Sequence, residues 1–238
     1  MCESSDTDAR QLVKFFHPAC HYVAGSSQAG KTFNIIRLLE RSDRYFKPAG
    51  FTVILSFIGS DDALWFSFAR RDSRVKLYRN LPDISDLKSL INSYDKKEQV
   101  CLIFDDMIIE LLNSNDRDFV SLFSKISHHS AVSVIMISQF LYCSLTNGSM
   151  LRAMQSNSQY LHIFQNRRFI SSISVLSHQI VGKGLSAAFL KMYQKSTQDL
   201  GGFLIIALHP RHPQSLMFIQ GQSLLSDSKK LKIYQLKR

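Results

Sequence analysis

Gly25-Ser26-Ser27-Gln28-Ala29-Gly30-Lys31-Thr32 decides the fold. The run matches G-x-x-x-x-G-K-[ST] at every fixed position. Its glycines let the backbone curl so that successive N–H groups point inward at one anion. The lysine reaches the outer phosphates of a nucleotide, and the following hydroxyl is a ligand for Mg2+. So short a pattern needs the right flanks. His21-Tyr22-Val23-Ala24 enters it as an apolar strand, and Lys31 to Arg41 leaves it as a helix with Ile35, Leu38 and Leu39 on one face. A helix starting behind such a loop turns its positive end toward the same oxygens. Gly25, Ser26, Ser27, Gln28, Ala29, Gly30, Lys31 and Thr32 are therefore the candidate binding residues for ATP.

Further on, Val100-Cys101-Leu102-Ile103-Phe104-Asp105-Asp106 is an apolar strand that ends in two carboxylates. In NTPases with this loop the first such acid holds Mg2+ through water, the role expected of Asp105. The second orients or deprotonates the attacking water, the role expected of Asp106, although glutamate is the commoner residue there. Val132 to Ile137 reads as another apolar strand, closed by Ser138 and followed by Gln139 at its tip. A polar side chain there can sense the γ-phosphate, or simply mark an exposed strand end.

The rest of the chain repeats this rhythm. Phe51 to Phe57, Tyr160 to Phe164 and Gly202 to Leu208 read as strands; Ile84 to Tyr94, Asp118 to Ser127 and Leu185 to Gln194 read as helices. Nearly continuous apolar strands alternating with amphipathic helices indicate a mostly parallel sheet covered on both faces, a three-layer α/β P-loop sandwich. The expected organisation is a loose leader over 1–14, one ATPase domain over 15–225 and a basic tail over 226–238.

Composition narrows the class. Hydrophobic residues make up 45% and charged residues 20% of 238, and no apolar run reaches the length of a membrane span. The start lacks the basic and apolar regions of a secretory signal, so an intracellular setting is expected. Cys2, Cys20, Cys101 and Cys143 form no C-x-x-C pair, which fits reduced thiols. His17, Cys20 and His21 match no zinc spacing, and Phe66 and Phe68 read as sheet or core packing. The net charge of +10 favours a polyanionic partner such as nucleic acid.

With these motifs in place the chain resembles the FtsK/HerA-type genome-packaging ATPases of DNA viruses, in particular those of Polinton/Maverick elements, adintoviruses and large nucleo-cytoplasmic DNA viruses. The resemblance runs from about Phe16 to Leu208. It rests on Phe16-His17-Pro18 before the loop, Leu81-Pro82, the acid pair Asp105-Asp106, and His128-His129 followed by a strand and Gln139. It also rests on Leu161 to Arg168 and on Tyr193 through Gly201-Gly202 to Ile206. Relatives usually carry Pro-Thr in the loop centre, where this chain has Ser26-Ser27-Gln28-Ala29, and Asp where it has Phe169.

The resemblance implies a RecA/FtsK-like ASCE fold and ATP hydrolysis with Mg2+. It implies a homo-oligomeric ring, and translocation of double-stranded DNA into a capsid through its portal vertex. The setting would be host cytoplasm or nucleus, or the virion. It makes Lys31, Asp106, Gln139 and Arg168 the catalytic residues, with Thr32 and Asp105 on the metal. Arg168 is the first choice for an arginine acting on a neighbouring subunit's nucleotide, ahead of Arg167 and Arg117. Two other classes share the loop. One is a nucleoside or nucleotide kinase, which needs an acceptor pocket and an arginine-rich lid. The other is a nucleotide-binding structural protein without turnover.

Overall fold

The structure, a computed structural model, describes residues 11–113, 118–142, 148–168 and 170–236. The first ten residues, Cys2, Arg117, Cys143, Phe169, Lys237 and Arg238 lie outside the described residues. In chain order the strands are β1 (Phe15–Phe16), β2 (Cys20–Ala24), β3 (Phe46–Lys47), β4 (Val53–Ile58), β5 (Val75–Tyr78) and β6 (Val100–Asp105). They continue with β7 (Val132–Ser138), β8 (Tyr160–Phe164), β9 (Phe203–Ala207), β10 (Phe218–Gln220) and β11 (Ile233–Tyr234). Two helices matter most for the site: α1 (Lys31–Glu40) and α2 (Ala63–Arg71).

Nine strands form one sheet in the order β11-β10-β9-β8-β2-β7-β6-β4-β5. From β5 to β8 every pairing is parallel. Beyond β8 the sheet turns antiparallel through β9, β10 and β11. β1 and β3 make a separate parallel pair. The mostly parallel sheet expected from continuous apolar strands is therefore present, with an antiparallel margin that this pattern does not distinguish. The last segment, read as a basic tail, adds an edge strand: Phe218 pairs with Tyr234 and Ile219 with Ile233. Its Asp227 accepts from Arg41 Nη2 and Arg44 Nη1, each at 2.9 Å.

Alternation along the strands divides the core in two. In β6, Val100, Leu102 and Phe104 pack on one face of the sheet, while Cys101 and Ile103 pack on the other. The first face is covered by helices that bring Leu87, Leu122, Leu151, Leu176 and Phe189. The second is covered by α1 through Ile35, Leu38 and Leu39, and by α2 through Trp65 and Phe68. Phe66 and Phe68 lie on α2 and not on a strand, and Phe68 is buried while Phe66 is half-buried. Both faces are dry, which is why the parallel strands read as unbroken apolar runs. Cys20 and Cys101 are buried free thiols, and burial pushes Cys20 up to about 11.

Candidate functional site

In parallel α/β sheets ligands gather beyond the carboxyl ends of the strands. Five loops meet there: those after β2, β4, β6, β7 and β8. β7 lies between β2 and β6, which sets Gln139 between the phosphate loop and the acid pair.

The loop after β2 has the geometry its sequence requires. Gly30 sits at φ 84° as the N-cap of α1, a left-handed conformation that suits glycine. No side chain caps α1 and no acid stands in its first turn. Its positive end is thus left to an outside anion. The loop is tied to its neighbours by Gly25 N–H donating to Ser138 O at 3.3 Å and Ser26 N–H donating to Gln165 O at 3.2 Å. Asn34 Nδ2 donates to Gly30 O at 2.8 Å and to Gly201 O at 3.3 Å, joining the base of the loop to the turn before β9.

Lys31 is buried, and its Nζ donates to Gly25 O at 3.0 Å and Ser26 O at 2.9 Å, both within its own loop. Burial lowers its pKa, while Asp105 and Asp106 pull it back up. Thr32 Oγ1 donates to Asp105 Oδ2 at 2.7 Å. This contact joins the two residues assigned to Mg2+. A hydroxyl and a carboxylate side by side are hard oxygen donors of the kind Mg2+ takes, and the pair fits that ion. Asp105 is 7% exposed. Burial raises its pKa, opposed by hydrogen bonds from Trp65 and Thr32 and by the charge of Lys31.

Asp106 differs from Asp105 in every respect. It is exposed, and its backbone lies at φ 57°. Gln139 Nε2 donates to its Oδ1 at 3.2 Å. Gly59 backs onto it so closely that a Cβ there would stand 2.3 Å from Asp106 O. Lys31, Thr32, Asp105, Asp106 and Gln139 line one cleft of about 340 Å³.

A further part of the lining escapes sequence reading. It comes from the loop after β4 and the start of α2, with Ser60, Asp62, Leu64 and Trp65. Trp65 Nε1 donates to Asp105 Oδ2 at 2.8 Å. A local signal for α2 exists: Asp62 stands just before Ala63-Leu64-Trp65, and its carboxylate accepts from Leu64 N–H at 2.8 Å as an N-cap.

Arg168 lies on the other flank of the loop. It lines two depressions there, beside its own Ser26 and Ser27. Its side chain is exposed, and its N–H donates to Asn166 Oδ1 at 3.2 Å. Arg167 lines one of the two, with Asp199 and Leu200. The expected reach to a neighbouring subunit rests on the resemblance to ring ATPases and on its place after an apolar strand. Here that strand is β8, adjacent to β2, so Arg168 emerges next to its own phosphate loop.

No family profile matches the chain, and no curated protein matches it in sequence. Solved structures of similar chain path include the genome packaging NTPase B204 from Sulfolobus turreted icosahedral virus 2 in complex with ATP-gammaS. That likeness has 16% identity and a TM-score of 0.44, over 81% of this chain and 93% of that one. Another is the cytoplasmic domain of the Thermomonospora curvata type VII secretion ATPase EccC, with 14% identity and a TM-score of 0.48 over 84% of this chain and 25% of that one. A third is an ATPase from the type III secretion system of pathogenic bacteria, with 13% identity and a TM-score of 0.43 over 78% of this chain and 65% of that one.

Proposed function

We propose that this chain is an ATP-hydrolysing motor that drives double-stranded DNA into a capsid. One observation carries the hydrolytic half. The cleft puts a phosphate-binding lysine, a Thr32–Asp105 oxygen pair and a second acid held by Gln139 around one space.

Each residue then has a task. The N–H groups at the start of α1 bind phosphate oxygens. Lys31 exchanges its carbonyl partners Gly25 and Ser26 for the β- and γ-phosphates. Thr32 and Asp105 would hold Mg2+, which supplies charge neutralisation on the phosphates when bound. Asp106 is exposed to the cleft and takes the proton of the attacking water. Gln139 keeps that carboxylate turned toward the water.

The DNA half is supported by the net charge of +10 and by the sequence resemblance to packaging ATPases, which also suggests a ring of identical subunits. Phosphate release with and without duplex DNA tests both halves. Stimulation by DNA, weakening steeply as salt rises, is the expected result. Transfer of the γ-phosphoryl group to a nucleoside, with no response to DNA, would replace this reading with a kinase.

A further inference from the structure

Trp65 is the single tryptophan of the chain and is fully buried. A buried indole N–H needs an acceptor, and any backbone carbonyl would serve. Here the acceptor is Asp105 Oδ2 at 2.8 Å, the same oxygen that accepts from Thr32 Oγ1 at 2.7 Å. A neutral donor on a largely buried carboxylate makes a strong hydrogen bond.

The helix that carries the indole is fixed at both ends. Asp62 caps its start, accepting from Leu64 N–H at 2.8 Å. At its last turn Arg71 Nε donates to Glu40 Oε1 at 3.0 Å, and Glu40 is the last residue of α1. The first two residues of α1 are Lys31 and Thr32. Acid, hydroxyl and indole thus come from β6, α1 and α2, and α2 is tied to α1 away from the cleft as well as at it.

We propose that Trp65 is a positioning residue for the divalent cation: its N–H fixes the Asp105 carboxylate in the orientation that the cation needs beside Thr32. The inference rests on reading the cleft as a Mg2+–nucleotide site. A tryptophan that only filled the core would be replaceable by phenylalanine with no effect on cation binding. A tryptophan that sets the carboxylate would not.

The test measures binding of a fluorescent, non-hydrolysable ATP analogue while Mg2+ is titrated, in wild type and Trp65→Phe. Phenylalanine keeps most of the ring and deletes the donor, whereas alanine would also open a cavity. Hydrogen bonds to charged groups set the scale, so half-saturation by Mg2+ should move to roughly tenfold higher concentration or more in Trp65→Phe. Binding of the analogue in excess chelator should not change. The same Mg2+ half-saturation in both proteins would overturn the inference, whatever happened to thermal stability. Should Trp65→Phe fail to fold, wild type decides. Emission of its single tryptophan should respond when Mg2+ is added to the analogue complex, and no response overturns the proposal. Wild type that binds no analogue with or without Mg2+ would instead overturn the nucleotide reading beneath it.

Discussion

Gln139 Nε2 donates to Asp106 Oδ1 at 3.2 Å, across the gap between β7 and β6. Asp106 follows the last residue of β6 and Gln139 follows the last residue of β7. The contact is therefore built by strand register, which pairs Asp105 with Ile137. A carboxylate held this way has its direction set by the sheet.

Asp106→Asn removes the proposed base and keeps the shape. Hydrolysis should fall by roughly two to four orders of magnitude while ATP binding survives. Gln139→Ala should lose less, since it frees the carboxylate without removing it. Single-turnover phosphate release beside equilibrium binding separates the two effects. Equal turnover in Asp106→Asn and wild type would remove Asp106 from the chemistry.

Lys31→Ala should lower turnover by at least roughly a hundredfold with the fold retained. The fold should hold because Lys31 bonds only to loop carbonyls, and burial already disfavours its charge. The check is thermal unfolding alongside ATPase rate. Near-normal turnover in a folded variant would sink the assignment.

Acid should unfold the protein through its buried histidines. His21 Nδ1 and His162 Nε2 lie 3.0 Å apart with no exposed surface, so one proton serves both. Burial holds His162 down to about 3 and His17 to about 4, and keeps His21 well below the ordinary 6.5. The unfolded chain takes up protons below pH 6.5 that the fold refuses. The stability these groups contribute is complete above that value and is lost as pH falls toward their folded pKa values. Asp105, raised by burial, works in the opposite sense as a single group. The urea midpoint should thus be lower at about pH 5 than at about pH 7.5. His162→Gln removes one of these groups and should make the dependence shallower. An unchanged wild-type midpoint between those pH values would contradict this account.

Arg168→Ala should abolish turnover and leave ATP binding intact, by the orders of magnitude, roughly three to five, that such arginines supply. Its place beside its own Ser26 and Ser27 points to nucleotide held by its own chain. Mixing Arg168→Ala with excess Asp106→Asn should then restore nothing, because each site would still lack one group. Recovered activity on mixing would show that Arg168 serves a neighbour, as the resemblance implies.

Much of this was legible in the sequence because it is local. The glycines and lysine of the loop are fixed by spacing, and β2, β4, β6, β7, β8 and β9 announce themselves as apolar runs. The short strands β5, β10 and β11 carry little pattern of their own and exist through pairing with longer neighbours. Trp65 was hidden for another reason. Its role depends on meeting Asp105, 40 residues away, which only the β4–β6 pairing brings about. The sequence around Trp65 reads as sheet or core packing; the core half holds, and the segment is the helix α2. The same holds for Arg168, whose neighbours are set by which strand lies beside β2.

The backbone at Asp106 also restricts how the lineage of this chain can drift. A non-glycine residue at φ 57° is tolerated best when its side chain is short and polar, as in aspartate or asparagine. Glutamate is one nucleotide substitution away, and its carboxylate could do the same chemistry. It would have to occupy a main-chain conformation that longer side chains disfavour, pressed from behind by a glycine that admits no Cβ. Selection acting on this position therefore meets a geometric barrier before a chemical one. A longer acid enters that turn at a backbone cost of roughly 1–2 kcal/mol, the kind that Gln28 already carries at φ 61° in the phosphate loop.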